Sequence, residues 1–371
     1  MTSICYSSGM IDPYRLFLCS ILVALGSACT VEGEACMAVD PSVEECPAPR
    51  DVDRDKLTGA CGSKIVRVLG EGERVDNISD WVESEEDWVP GCCYPVKETK
   101  PNCDYGRPLR VEGEPVLAAT VTDDRWAAAL AVTASTLPQA VREELVIRWT
   151  RAALDEHASV AAFSRVALDL MRHGAPPELI EQAHAAALDE VRHARHGFAI
   201  ASAIGGAPVG PGAFPLGASV PLAPDLVAVA VEAALDGCIG ETVASLLAWE
   251  AAAVCEEPAI REVLRGIAED EQRHALLGWR TVAWAIRHGG AAVRTAVAEV
   301  FAAAAREGVA VPLPGRLDDA TVLAQVGLLD RATSQRHAAR TLHQVILPAA
   351  RDLLAGGARR GGAEREQEMR A

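Results

Sequence analysis

Two five-residue stretches, Asp189-Glu190-x-Arg192-His193 and Asp270-Glu271-x-Arg273-His274, repeat one chemical order 81 positions apart. Residues three apart on a helix lie on nearly one face, so the Glu and His of each E-x-x-H can grip a single ion together. Two more acids sit in apolar surroundings ahead of these motifs: Glu156 in "DEHASV" and Glu241 in "GETVAS", 85 positions apart. Nearly equal spacing is what two copies of one helical hairpin, packed about a pseudo-twofold axis, would produce. Four carboxylates and two imidazoles make a hard, mixed oxygen and nitrogen donor set that suits two iron or manganese ions. Buried without metal, four glutamates would repel one another, at a cost on the order of several kcal/mol apiece.

A single E-x-x-H is weak evidence, and the chain carries a decoy in Glu181 and His184. Nine residues separate Glu181 from Glu190, a rotation of about 180° at 100° per residue, so the decoy faces the opposite, solvated side. The ligand face around Glu190 holds Ala183, Ala187, Ala194 and Phe198, and that around Glu241 holds Ala234, Cys238, Ser245 and Ala248. Small residues there would let helices approach and leave room for a cluster. Trp249 and Trp279 read as core packing, His157 and His196 as surface groups off the ligand face, and His337 and His343 as poorly spaced for sharing a metal.

The elements that must position these groups follow from periodicity and punctuation. The pattern turns helical at Pro138 and runs to about His173, where "HGAPPEL" supplies a stop Gly and a Pro pair to start the next helix, about Pro177 to Ile204. The segment "GGAPVGPGAFPLGASVPLAP" is long for a bundle loop and suits a crossover down the bundle's length. A third helix is expected from Asp225 to Cys255 and a fourth to His288, then helices at 291–307 and 318–354 and a tail, 357–371, of disordered composition.

With these residues in place, residues 138–290 resemble the ferritin-like di-iron carboxylate proteins, whose bundles take a Glu from each of two helices and an E-x-x-H from each of the other two. The resemblance implies a ferritin-like four-helix bundle (123–290, with 291–356 as extra helices) and a ligand set of Glu156, Glu190, His193, Glu241, Glu271 and His274. The form D-E-x-R-H is similar to that of hydroxylase subunits of bacterial multicomponent monooxygenases. It implies that Asp189 and Asp270 orient the imidazoles while Arg192 and Arg273 balance the acids. The bundle has no tyrosine, which disfavours a tyrosyl-radical role, and no C-x-x-C pair of the kind rubrerythrins use for electron transfer.

Composition bounds the rest. The chain has 371 residues and 35 basic against 52 acidic side chains, a net charge of -17 that repels phosphate backbones and excludes nucleic acid as the expected partner. Half the residues are apolar and only 4% aromatic, with much alanine, so the expected class is mostly α. From Met10, "MIDPYRLFLCSILVALGSAC" has one arginine, an apolar run of about a dozen residues and a small-residue end, the layout of an export signal. Its end resembles a bacterial lipobox, with residues 1–29 as the signal, cleaved ahead of Cys29 and that cysteine lipidated, although Leu25 stands one position early. Residues 30–122 then hold Cys36, Cys46, Cys61, Cys92, Cys93 and Cys103, an even set that reads as a disulfide framework with 15 possible pairings. Cys5 and Cys19 would leave with the signal.

The expectation is therefore an exported, membrane-anchored lipoprotein of the cell envelope. Its bundle would use two irons, or manganese, to activate oxygen or peroxide, with an unidentified electron donor. Rubrerythrin-like detoxification of peroxide or oxygen is one alternative, and a non-catalytic, metal-stabilised binding or structural role is another.

Overall fold

The computed structural model describes residues 13–25, 31–38, 46–52, 58–59, 64–68, 71–75, 91–99, 109–111, 114–126, 130, 137–217, 220–309, 311 and 316–355. Cys29, Cys61, Cys103 and the tail 357–371 lie outside them. The molecule is mostly helical and divides into two compact units, Met1–Asn102 and Cys103–Ala371. That division falls ahead of the compositional boundary at 122.

In the first unit a helix, α1 (Pro13–Ala24), precedes an antiparallel sheet. Its strands are β1 (Val31–Ala38), β2 (Thr58–Gly59), β3 (Lys64–Val68), β4 (Glu73–Val75) and β5 (Gly91–Thr99), in the order β2-β1-β5-β3 with β4 also on β5. Cys46 and Cys92 form a disulfide that closes a 46-residue loop onto β5. Beside it Tyr94 is fully buried and its hydroxyl donates to the Pro47 carbonyl at 2.9 Å. Cys93 is also disulfide-bonded, and so is Cys19, which was expected to leave with a signal. No described helix is long and apolar enough to cross a membrane.

The second unit opens with short strand pairs. Strands β6 (Arg110–Val111) and β7 (Glu114–Pro115) form a hairpin. Strand β8 (Thr120–Val121) pairs with β9 (Gly210–Pro211), far along the chain. Four helical rods follow: α2 (Gln139–Arg172), α3 (Pro177–Gly205), a composite rod, and α6 (Pro258–Glu307). The composite rod is α4 (Leu226–Glu232), a π-helical stretch Ala233–Glu241, and α5 (Thr242–Val254). The stops are those the punctuation marks. Gly174 after α2 and Gly206 after α3 adopt φ of 70° and 74°, left-handed values that a Cβ disfavours, and Pro177 opens α3. Asp225 caps α4 by accepting the Ala228 N–H at 2.9 Å.

Directions follow from two contacts. At one end Leu145 and Trp149 of α2, Ile200 and Ile204 of α3, Ala251 and Ala252 of α5, and Ile260 and Leu264 of α6 share one apolar cluster. At the other, the Ala223 N–H donates to the buried Asp169 carboxylate at 2.7 Å, just before α4 begins. So α2 and α6 leave the first end, α3 and the composite rod arrive at it, and the chain passes from the first end to the other between Gly206 and Ala223.

The last helices differ from the expected single rod 318–354. The chain makes α7 (Ala320–Gln325), turns at Gly327 (φ 70°), and restarts as α8 (Arg331–Thr341), which continues through a π-helical turn Leu342–Ile346 to residue 355. At Gly327 a Cβ would lie 2.5 Å from a Leu264 methyl, so the break lets the turn press against α6. Asp330 then caps α8 through the Thr333 N–H. The end of the expected fourth helix survives inside α6 as a kink at Gly290 (φ 63°, ψ -138°).

Candidate metal centre

All six sequence-derived ligands fall on the four rods, Glu156 on α2, Glu190 and His193 on α3, Glu241 in the π-helical stretch, and Glu271 and His274 on α6. Glu190, His193, Glu241, Glu271 and His274 are buried. Glu156, Glu190, His193 and Glu271 offer donor atoms all within 4.8 Å of one another, a group able to hold a metal ion. His274 joins them through Glu190. Glu241 lies at full burial on the stretch that packs against α6.

The contacts are related by an approximate twofold. Glu190 Oε1 is 3.0 Å from His274 Nδ1, and Glu271 Oε1 is 3.1 Å from His193 Nδ1, so each motif's glutamate meets the other motif's histidine. Glu190 Oε2 also stands 3.7 Å from its own partner, His193 Nδ1, which puts its carboxylate between the two rings. Glu156 Oε2 approaches His193 Nδ1 at 3.9 Å. The Phe163 ring lies across His274 at 4.9 Å between centroids and holds the imidazole from the α2 side.

The outer nitrogens are committed crosswise too. His193 Nε2 is 3.1 Å from Asp270 Oδ2 and His274 Nε2 is 3.2 Å from Asp189 Oδ2. The sequence suggests that these aspartates orient imidazoles; the structure adds that each serves the histidine of the opposite helix. Arg192 reaches Asp189 at 2.7 Å and Asp270 at 2.8 Å, and Arg273 pairs with both as well. An ionised carboxylate on Nε2 fixes the proton there and directs Nδ1 inward, the arrangement a ligating histidine requires.

Charge follows the same geometry. Burial first, then Glu271 and Glu190, hold Glu156 well above the usual carboxylate range. Burial also works against the charge of Glu190, but His193 and His274 outweigh it and depress its pKa. The same balance raises both imidazoles: burial opposes their charge, and Asp270 for His193 or Asp189 for His274, with the glutamates, wins. Asp270 and Asp189 are depressed, burial being overcome by the histidines and arginines. In the deprotonated form that would accept metal, with neutral histidines and ionised carboxylates, four glutamates and two aspartates against two arginines leave about four negative charges, the complement of two divalent cations.

The residues fit such ions. Both oxygens of Glu190, Nδ1 of His193 and Nδ1 of His274 are buried atoms, close to one another yet without hydrogen-bond geometry to any neighbour. Buried donors and acceptors of that kind are costly unless something else satisfies them. Access is one-sided: the Glu156 side chain keeps 26% of its exposure, against 5% or less for Glu190, Glu271, His193 and His274.

Other residues sort differently. Glu181 and His184 are exposed, as their phase predicts. Trp279 is buried and stacked on Phe301 at 5.5 Å, a core role. His157 corrects the surface reading: it is half-buried, edge-on to Trp126 at 5.0 Å and Phe214 at 5.6 Å, because the strand segment and the crossover fold over α2. His196 is likewise half-buried. Sequence reasoning missed Asp169, whose only signal was an acid in an apolar stretch, and it missed the π-helical stretch that carries Glu241.

The chain matches no family model, no curated protein and no solved structure. What the centre is therefore rests on its donor chemistry and its symmetry.

Proposed function

We propose that the second unit is a ferritin-like bundle whose Glu156, Glu190, His193, Glu241, Glu271 and His274 hold two iron ions that activate oxygen or peroxide. The observation that carries this reading is the crosswise pairing, in which each E-x-x-H glutamate faces the other motif's imidazole nitrogen across 3.0 and 3.1 Å. The up-down-crossover order of the rods supports it, one long crossover being the ferritin-like arrangement.

Two ions there would supply one- and two-electron redox steps at a site shielded from bulk water. The chain's own residues set the conditions. Glu190, whose carboxylate lies between the two rings, and Glu156, the most accessible of the six, would be among the carboxylates that hold the ions. Asp189 and Asp270 hold protons on the outer imidazole nitrogens, and Arg192 and Arg273 keep those aspartates ionised. Entry of small molecules would come past Glu156.

The test is the iron content of the full chain after loading with ferrous iron, then stopped-flow absorbance on mixing with oxygen or peroxide, with Glu190→Ala as control. About two irons per chain and a transient band lost in the variant support the proposal. Metal that binds without reacting would leave a structural role in its place. Export with lipidation at Cys29 remains part of the proposal and is tested by the mass of the mature N-terminus, since cleavage before Cys29 would remove Cys19.

A further inference from the structure

On the face of α2 adjoining Glu156, a cavity of about 330 Å³ opens between the helix, the strand segment that ends at Trp126 and the crossover around Phe214. From the helix it takes His157, Val160, Ala161 and Leu168, a stripe at three- and four-residue spacing. The walls are held by backbone. Strands β8 and β9 pair at Thr120 with Pro211 and Val121 with Gly210, and the Gly212 N–H donates to the Ala119 carbonyl. A Cβ on Gly210 would lie 3.0 Å from the Asp123 Cβ and 3.5 Å from that of Trp126, so glycine lets the two straps close up and seat the indole.

The lining is apolar and rich in rings. The imidazole of His157 stands edge-on between Trp126 and Phe214, and Trp126 packs edge-on to buried Phe198 at 6.2 Å. Ser164 interrupts it, its hydroxyl donating to the Val160 carbonyl at 2.8 Å. His157 Nδ1 and Arg165 Nε are buried without a hydrogen-bond partner. The charge of Arg165 is already met by Glu232 through Nη2, so its buried Nε–H stands as a donor rather than as a free cation.

We propose that this cavity binds a neutral aromatic molecule of one or two rings that carries a hydrogen-bond acceptor. Three rings in one lining, Trp126, His157 and Phe214, favour an aromatic guest. Apolar cavities of about 150 Å³ already take benzene, so twice that volume suits a bicyclic molecule. The acceptor answers Arg165 Nε, and neutrality follows from an apolar lining beside an arginine whose charge is spent. Small-molecule sites commonly have this volume and this balance of apolar wall to a few polar atoms. None of the cavity's lining residues is among the six candidate ligands.

The test uses the full chain and the neutral, two-ring ketone dye prodan, followed by its emission shift. One saturable site per chain is expected, competed by 2-acetylnaphthalene, with 2-naphthoate at least tenfold weaker. Leu168→Trp, on the exposed rim, and Ala161→Trp, inside, should each weaken binding at least tenfold. Ala302→Trp, beside a separate hollow along α6, should leave it unchanged. Should Ala161→Trp fail to fold, the rim variant still decides. Absence of saturable binding, binding indifferent to both cavity variants, or naphthoate competing as well as the ketone would overturn the proposal. The result is the same with and without chelator, so it is separable from the fate of the metal centre.

Discussion

Asp189 and Asp270 do more than neutralise charge, because each holds the outer nitrogen of a histidine on the other helix. Replacing Asp270 by Asn keeps the shape but no longer holds the proton on His193 Nε2, so Nδ1 is presented less often. Metal affinity should fall about 10–100-fold, the usual effect of losing such a partner, as read by chelator-competition titration. Asp189→Asn should do the same through His274. Conversely, Glu181→Gln, in the exposed decoy, should leave affinity unchanged. The grouping of Glu156, Glu190, His193 and Glu271 was legible in the sequence, since E-x-x-H spacing and its repetition survive without coordinates. Which aspartate serves which histidine was not, because that depends on how two distant helices face each other. His157 was misread for a related reason. Helical phase says only which side of α2 it occupies, whereas Trp126 and Phe214 come from segments 31 residues before it and 57 after it in the chain.

At the level of elements, Gly237 in the π-helical stretch and Gly278 in α6 set how closely those rods approach. A Cβ on Gly278 would lie 2.7 Å from the Gly237 Cα, a backbone atom that cannot swing aside. Gly278→Ala should therefore wedge the rods apart, destabilising the unit by about 1–3 kcal/mol in thermal unfolding and lowering metal occupancy, since Glu241 is carried on the displaced rod. If stability and occupancy both held, the close packing would have no bearing on the site. A milder change belongs to α8. Asp330 accepts the Thr333 N–H, and hydrogen bonds from Thr333 depress its pKa. Its depressed value means that capping is present above the ordinary carboxylate pKa and is lost as pH falls through the folded one. Asp330→Ala should cost about 1 kcal/mol near neutrality and progressively less in acid, measured by denaturant unfolding across pH. Helix limits were readable from Pro, Gly and Asp signals. The π-helical stretch was not, because alanines and glycines give the hydrophobic period too little contrast to reveal one added residue, and the break at Gly327 was hidden within a run of good helix formers.

Across the whole molecule, the two units owe their order to different things. In the first, the Cys46–Cys92 bond closes 46 residues onto β5. Loop-closure entropy assigns such a cross-link roughly 4 kcal/mol, so Cys46→Ser should accelerate hydrogen exchange of the β5 amides and leave α3 and α6 unaffected. The mostly helical class and a disulfide in the Cys-rich segment were legible from composition and cysteine count, but the sheet order and the pairing were not, because both are long-range choices among many. In the second unit, the reciprocal bonds between α3 and α6 have a further consequence. Neither hairpin holds a finished half-site, since each lends its aspartate to the other and borrows one back. Residues 137–217 and 220–309, produced as separate fragments, should each bind iron weakly and regain affinity on mixing, so that the centre behaves as a lock that only two keys turned together can close.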